Sequence, residues 1–142
     1  DDQLMVEGEL MDWAELKAKT KEFFSNPTND PNLPEKELKE IEFPAGQSSF
    51  FPDGKAELMI TKGVVSLQND RSTTYGKYLQ VQDVLVAAVN ELRNQFAIDY
   101  FGRSWEELDG KKSTDEAIMN GIRDVYKMNI SEAEPKNIGG VK

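Results

Sequence analysis

The side chains most able to do chemistry in this 142-residue chain are its carboxylates, 26 Asp and Glu against 17 Lys and Arg, giving a net charge of -9. Adjacent acids such as Glu106 and Glu107 can divide acid and base roles when burial or like charge separates their pKa values. In so acidic a chain they read more simply as a solvated face. Without His, the usual base near neutral pH, the Ser-His and Cys-His nucleophile pairs and the commonest zinc ligand are all missing. Without Cys, disulfides and thiolate metal sites are missing too. Asn69 and Asp70 offer oxygen ligands for calcium, but one short turn falls short of the roughly six to eight oxygens that ion takes, and helix capping explains it better.

Two further patterns carry little. Gly110 to Thr114, GKKST, has the ending of a phosphate-binding loop, yet the glycine that motif needs upstream is Trp105 here, and capping is the simpler reading. Asn129-Ile130-Ser131 fits the N-glycosylation pattern but falls in an expected strand. Among the aromatic residues Trp13, Trp105, Phe23, Phe24, Phe50 and Phe51, those at helical spacing read as core. Phe50 and Phe51, adjacent in a Pro-rich loop, are the better candidates for an exposed contact.

The elements that would position any site follow from periodicity. Val64, Val65 and Leu67 make a short strand, and Asn69 to Thr74 a polar turn with several candidate caps. Tyr78, Val81, Leu85, Ala88, Leu92 and Phe96 then fall on one stripe of a long helix, with Gly102 as its C-terminal cap. Upstream, Leu4 to Val6 reads as a strand and Glu7-Gly8 as a turn. Asp12 with Glu15 forms a capping box for a helix carrying Trp13, Leu16, Thr20, Phe23 and Phe24, which stops at Asn26 before Pro27. The segment 26-55, holding five of the six prolines, reads as a loop insertion with room for one helical turn around Glu35 to Lys39. Ala56, Leu58 and Ile60 alternate as a half-buried strand, which Lys62 and Gly63 would turn back onto Val64 as a hairpin. Ser104 with Glu107 and Ser113 with Glu116 each mark a helix start, the second with Ile118, Ile122 and Val125 on its apolar face. A last strand spans Met128 to Ala133, and 136-142 should fray.

The succession Val65 to Leu67, Asp70, Arg71, Ser72, Thr73, Thr74, Tyr75, then Tyr78, Leu79 and Val81, resembles in register the periplasmic domain of the ExbD/TolR family. These are accessory proteins of proton-driven inner-membrane motors, and the similarity is closest to Bacteroidota-type ExbD members. LMVEGELMDWAELKAKTKEFFSNP at Leu4 to Pro27, LPEKE at Leu33 to Glu37 and ISEAEPKNIGG at Ile130 to Gly140 are similar to that branch as well, so the resemblance covers nearly the whole chain. It implies the periplasmic side of the bacterial inner membrane. It also implies a homodimer, contact with a TonB-like periplasmic protein, and an ExbB-like membrane subunit reached through an N-terminal membrane helix that carries the family's proton-relay carboxylate. None of the acids here takes that role.

The expectation is a single α+β domain over 1-142, two-layered, with a small mixed or antiparallel sheet and helices on one face. The longest apolar run, Val84 to Val89, falls far short of the roughly 20 residues that cross a bilayer, and DDQLMV lacks the features of a signal peptide. Because the resemblance starts inside the family's first hairpin, the Ala56 segment is a candidate substitute for a strand. The expected activity is mechanical, coupling proton motive force to outer-membrane transport by binding, with no enzymatic step, cofactor, metal or nucleic acid. The docking or dimer edge is placed on Met128, Asn129, Ile130, Ser131 and Glu132, supported by Val64, Val65 and Leu67. Pro at Ile130 should weaken it. The alternatives are a TolR-like role in envelope maintenance and, more distantly, a carboxylate-based calcium-binding or enzymatic domain.

Overall fold

The computed structural model describes residues 3-6, 13-68 and 75-133. Its elements are β1 (Gln3–Val6), α1 (Trp13–Ser25), β2 (Lys36–Glu42), β3 (Lys55–Thr61), β4 (Val64–Gln68), α2 (Tyr75–Phe101), a short 3-10 turn (Trp105–Glu107), α3 (Ser113–Val125) and β5 (Ile130–Ala133). The Glu7-Gly8 turn, the Asp12 cap, the Asn69 to Thr74 turn and the 136-142 tail lie outside the described residues. No described helix is long and apolar enough to cross a membrane.

The α+β class is as expected, but the strands divide between two sheets. β1, β4 and β5 form a three-stranded parallel sheet in that order, and β2 and β3 form a separate antiparallel pair. Lys62-Gly63 is therefore not a hairpin turn. A two-residue hairpin needs positive φ at one or both central positions, and Gly63 has none. Its lack of a side chain serves packing instead, since a Cβ there would lie 2.6 Å from the Phe23 ring and 2.9 Å from Pro34. Nor is Glu35 to Lys39 a helical turn; most of it belongs to β2.

Parallel neighbours require crossovers, and here α1 follows β1 while α2 and α3 separate β4 from β5. Val65 is fully buried with Leu16, Phe23 and Phe24 of α1 and with Val81, Leu85 and Val89 of α2. At 27 residues α2 runs about 40 Å and spans two cores. Its first half covers the parallel sheet, and its second half packs Phe96 and Ala97 against Ile41, Phe43, Phe51, Ala56 and Ile60 of the hairpin and Ile118 and Ile122 of α3.

The ends of these elements are set locally. Asn26 closes α1 in the left-handed region, φ 41°, where Asn is tolerated better than most residues. Its buried side chain donates to the Asp30 and Pro34 carbonyls (3.3 and 3.0 Å) and accepts from the Asp30 N–H (2.7 Å). Gly102, φ 71°, ends α2 as expected. Ser104 and Glu107 form their capping box, though on a single 3-10 turn. The helix α3 starts one residue earlier than the Ser113 cap would place it. Lys112 occupies the N-cap, and the acid that matters is Asp115, which accepts from both Arg103 amino groups at 2.8 Å and from the Asp109 N–H at 3.0 Å.

Candidate functional site

Order β1-β4-β5 leaves β5 at a rim of the parallel sheet, with no strand beyond it among the described residues. The register pairs Val65 with Ile130 and Leu67 with Glu132. The Val65 N–H donates to the Asn129 carbonyl at 2.8 Å. In a parallel ladder that assigns the β4 bonds to residues 129, 131 and 133, and turns the amides of Ile130 and Glu132 away toward the open rim. The Ile130 N–H is already used, donating to the Met128 carbonyl at 3.0 Å. The edge donor is thus Glu132, two residues from the position sequence reasoning chose for a proline probe.

Side chains sort the same way. Ile130 packs into the core beside Val65, whereas Ser131 and Met128 are exposed and Val64 is half-buried. Met128 and Asn129 precede the strand rather than belonging to it, because β5 begins at Ile130. The Asn129 side chain reaches back to the Gly63 carbonyl (3.4 Å), tying this segment to the residue before β4. Of the expected site, Val64, Val65 and Leu67 lie on the central strand β4 and the remaining five on or just before the rim strand.

At the foot of β5 opens a cavity of about 400 Å³, walled by Ile41 and Ile60 of the hairpin, Phe24 of α1 and the 124-127 junction. Its charged lining residues are Lys39, Lys62, Lys127 and Asp124. Glu37 pairs with Lys62 (3.0 Å) and Lys39 (3.4 Å), and these hydrogen bonds hold its carboxyl below the ordinary glutamate range. Sequence reasoning did not find this cavity, since its walls come from four separate elements.

The aromatic candidates divide. Phe50 is 67% exposed, but Phe51, expected beside it at the surface, is buried and stacked on Phe43 at 5.2 Å. The turn that carries them is fixed by Gly54, φ 85°, where a Cβ would lie 2.1 Å from the Phe43 carbonyl oxygen. Trp13 is exposed rather than core. Trp105 is half-buried, with the Arg93 and Arg123 guanidinium carbons 5.8 and 5.4 Å from its ring centre. Gly110 to Lys112 merely leads into α3, and Lys111 donates its N–H to Asp109.

No family model, no curated protein and no solved structure matches the chain.

Proposed function

We propose that this chain is the periplasmic domain of an ExbD-type accessory subunit of a TonB-ExbB-ExbD-like energy-transducing complex, and that it acts by gripping an extended polypeptide along β5. The observation that carries the binding mode is the rim of β5, unpaired among the described residues, whose Glu132 amide and Ile130 carbonyl face away from the ladder to β4. An incoming strand completes those bonds, and alternate side chains give selectivity. The cavity below, with its three lysines, offers a seat for a side chain of the same strand. The occupant is a TonB-like periplasmic segment or the equivalent strand of a second subunit. The motor assignment itself rests on the resemblance of the strand, turn and helix segments.

The test uses two prolines one residue apart. Glu132→Pro removes the rim donor but no β4 bond, a placement proline tolerates in edge strands. Ser131→Pro removes the donor bonded to β4 and should unfold the rim. With the melting temperature of Glu132→Pro nearly unchanged, affinity for a TonB-derived peptide, or dimerisation by sedimentation, is expected to fall about tenfold, as one lost hydrogen bond and an unpaired partner carbonyl imply. A folded Glu132→Pro protein that keeps both properties refutes the edge.

A further inference from the structure

A second surface lies on the other strand pair. One stripe of α2, formed by Leu92, Gln95, Phe96, Asp99 and Tyr100, faces Leu58 and Met59 of β3 across a cavity of about 310 Å³. It opens to solvent along Met59, Gln95 and Asp99, which are exposed. Three rings line it: Phe96 and Tyr100 have centroids 4.4 Å apart, and Tyr126 stands edge-on to Phe96 at 6.4 Å. Its only charged lining residue is Asp99, exposed, with one oxygen held by the Gln95 amide at 2.8 Å and no basic partner among the described residues. An apolar occupant would strip water from that carboxylate without replacing it. A cation would satisfy it and lie beside three aromatic rings.

The adjoining outer face of the hairpin has the same character. Leu38 and Met59 are direct cross-strand partners, 59% and 55% exposed. The next pairs on that face set Glu40 opposite Glu57 and Glu42 opposite Lys55, so three carboxylates there face one lysine. Met59 belongs both to this patch and to the cavity wall.

We infer that this surface docks a basic, apolar polypeptide segment: a Lys or Arg side chain enters the cavity between Phe96, Tyr100 and Tyr126 and pairs with Asp99, while an apolar neighbour covers Leu38 and Met59. Net charge -9 draws such a partner and disfavours acidic ones. The inference goes beyond the β5 edge and does not depend on it.

The experiment titrates the full chain at low salt with two short peptides that differ at one position, arginine or its neutral isostere citrulline, each flanked by leucine. Amide shifts and affinity are both read. The arginine peptide is expected to bind about tenfold more tightly and to shift Leu58, Met59, Tyr100 and Tyr126. Asp99→Asn, an exposed replacement, removes most of that difference and leaves the citrulline peptide unaffected. Glu132→Pro leaves both peptides unaffected, so failure here and failure of the β5 edge are told apart. Equal binding of the two peptides, no saturable binding, or shifts confined to β5 overturns the inference.

Discussion

Gly121 sits where α3 presses on Phe43, just past β2, and replacing it by alanine tests how tightly that contact is packed. A Cβ at Gly121 would lie 2.4 Å from Phe43 Cε1 and 2.6 Å from Cδ1. The ring has little room to yield, because it stacks on Phe51 and Phe96 and packs on Phe101 with centroids 5.2, 6.0 and 5.1 Å away. Overpacking of this kind costs about 1–3 kcal/mol, while glycine to alanine inside a helix contributes about 1 kcal/mol in the opposite direction. The net expectation for Gly121→Ala is destabilisation by up to about 2 kcal/mol, read as the urea midpoint with the slope unchanged. In a Phe43→Ala background the ring carbons that clash are gone, so the same substitution should become stabilising by about 0.5–1 kcal/mol. That change of sign, a coupling of about 1–3 kcal/mol, is the content of the prediction. Equal effects in the two backgrounds would refute the contact.

Asn26→Ala should cost about 2–4 kcal/mol in urea unfolding, because it loses three side-chain hydrogen bonds and keeps a backbone that disfavours alanine; Asn26→Gly, which restores the backbone, should cost about 1 kcal/mol less. The Arg103 guanidinium, followed by the Asp109 N–H, holds the Asp115 carboxyl well below the usual carboxylate range. Its stabilisation is therefore complete above the unfolded value near 4 and is lost as pH falls below it toward the folded value. Thermal melts between about pH 5 and 2 should fall more steeply for the natural chain than for Asp115→Asn, and parallel curves would exclude the pair as a contributor. Gly54→Ala should yield little soluble protein, since no side chain can move to relieve a 2.1 Å approach to a backbone oxygen. Arg93→Met should cost about 1–3 kcal/mol in urea unfolding, because it leaves the Tyr126 carbonyl without its donor. It should also speed hydrogen exchange at residues 127-130, because it frees the Tyr126 carbonyl.

How much of this fold is legible in the sequence depends on where each element's information lies. The stripe on α2 is internal to the segment, and Val81, Leu85, Ala88 and Phe96 are indeed buried, with Tyr78 and Leu92 partly so. β2 is not legible, because KELKEIE has five charged residues, no clean alternation and only Ile41 buried. Its strand state comes from antiparallel pairing to β3 and from the Phe43 N–H donating to the Gly54 carbonyl at 2.7 Å, tertiary facts that override propensity. The partner of β4 is illegible for a different reason. Val64 and Val65 suit a parallel interior strand as well as a hairpin arm, and nothing within the segment reports that its neighbours are β1 and β5, each about 60 residues away.

The site shows the same division at finer scale. That β5 is a rim strand follows from its composition and position, but which amides face outward depends on one ladder bond, Val65 to Asn129, that no pattern encodes. Both cavities meet at Val125 and Tyr126, and this junction is held by a contact with no sequence signature. The Arg93 Nε donates to the Tyr126 carbonyl at 2.9 Å. Burial lowers the Arg93 pKa, and among the described residues the guanidinium has no carboxylate partner; it lies near the Trp105 ring instead. A buried cation in a chain of 26 acids would ordinarily be assigned an acidic partner. Here it holds a carbonyl, because the junction between α3 and β5 leaves helical geometry at Tyr126 and exposes an oxygen that needs a donor. Burial in turn raises the Tyr126 phenol above its ordinary range, with Tyr100 and Asp99 adding to the shift.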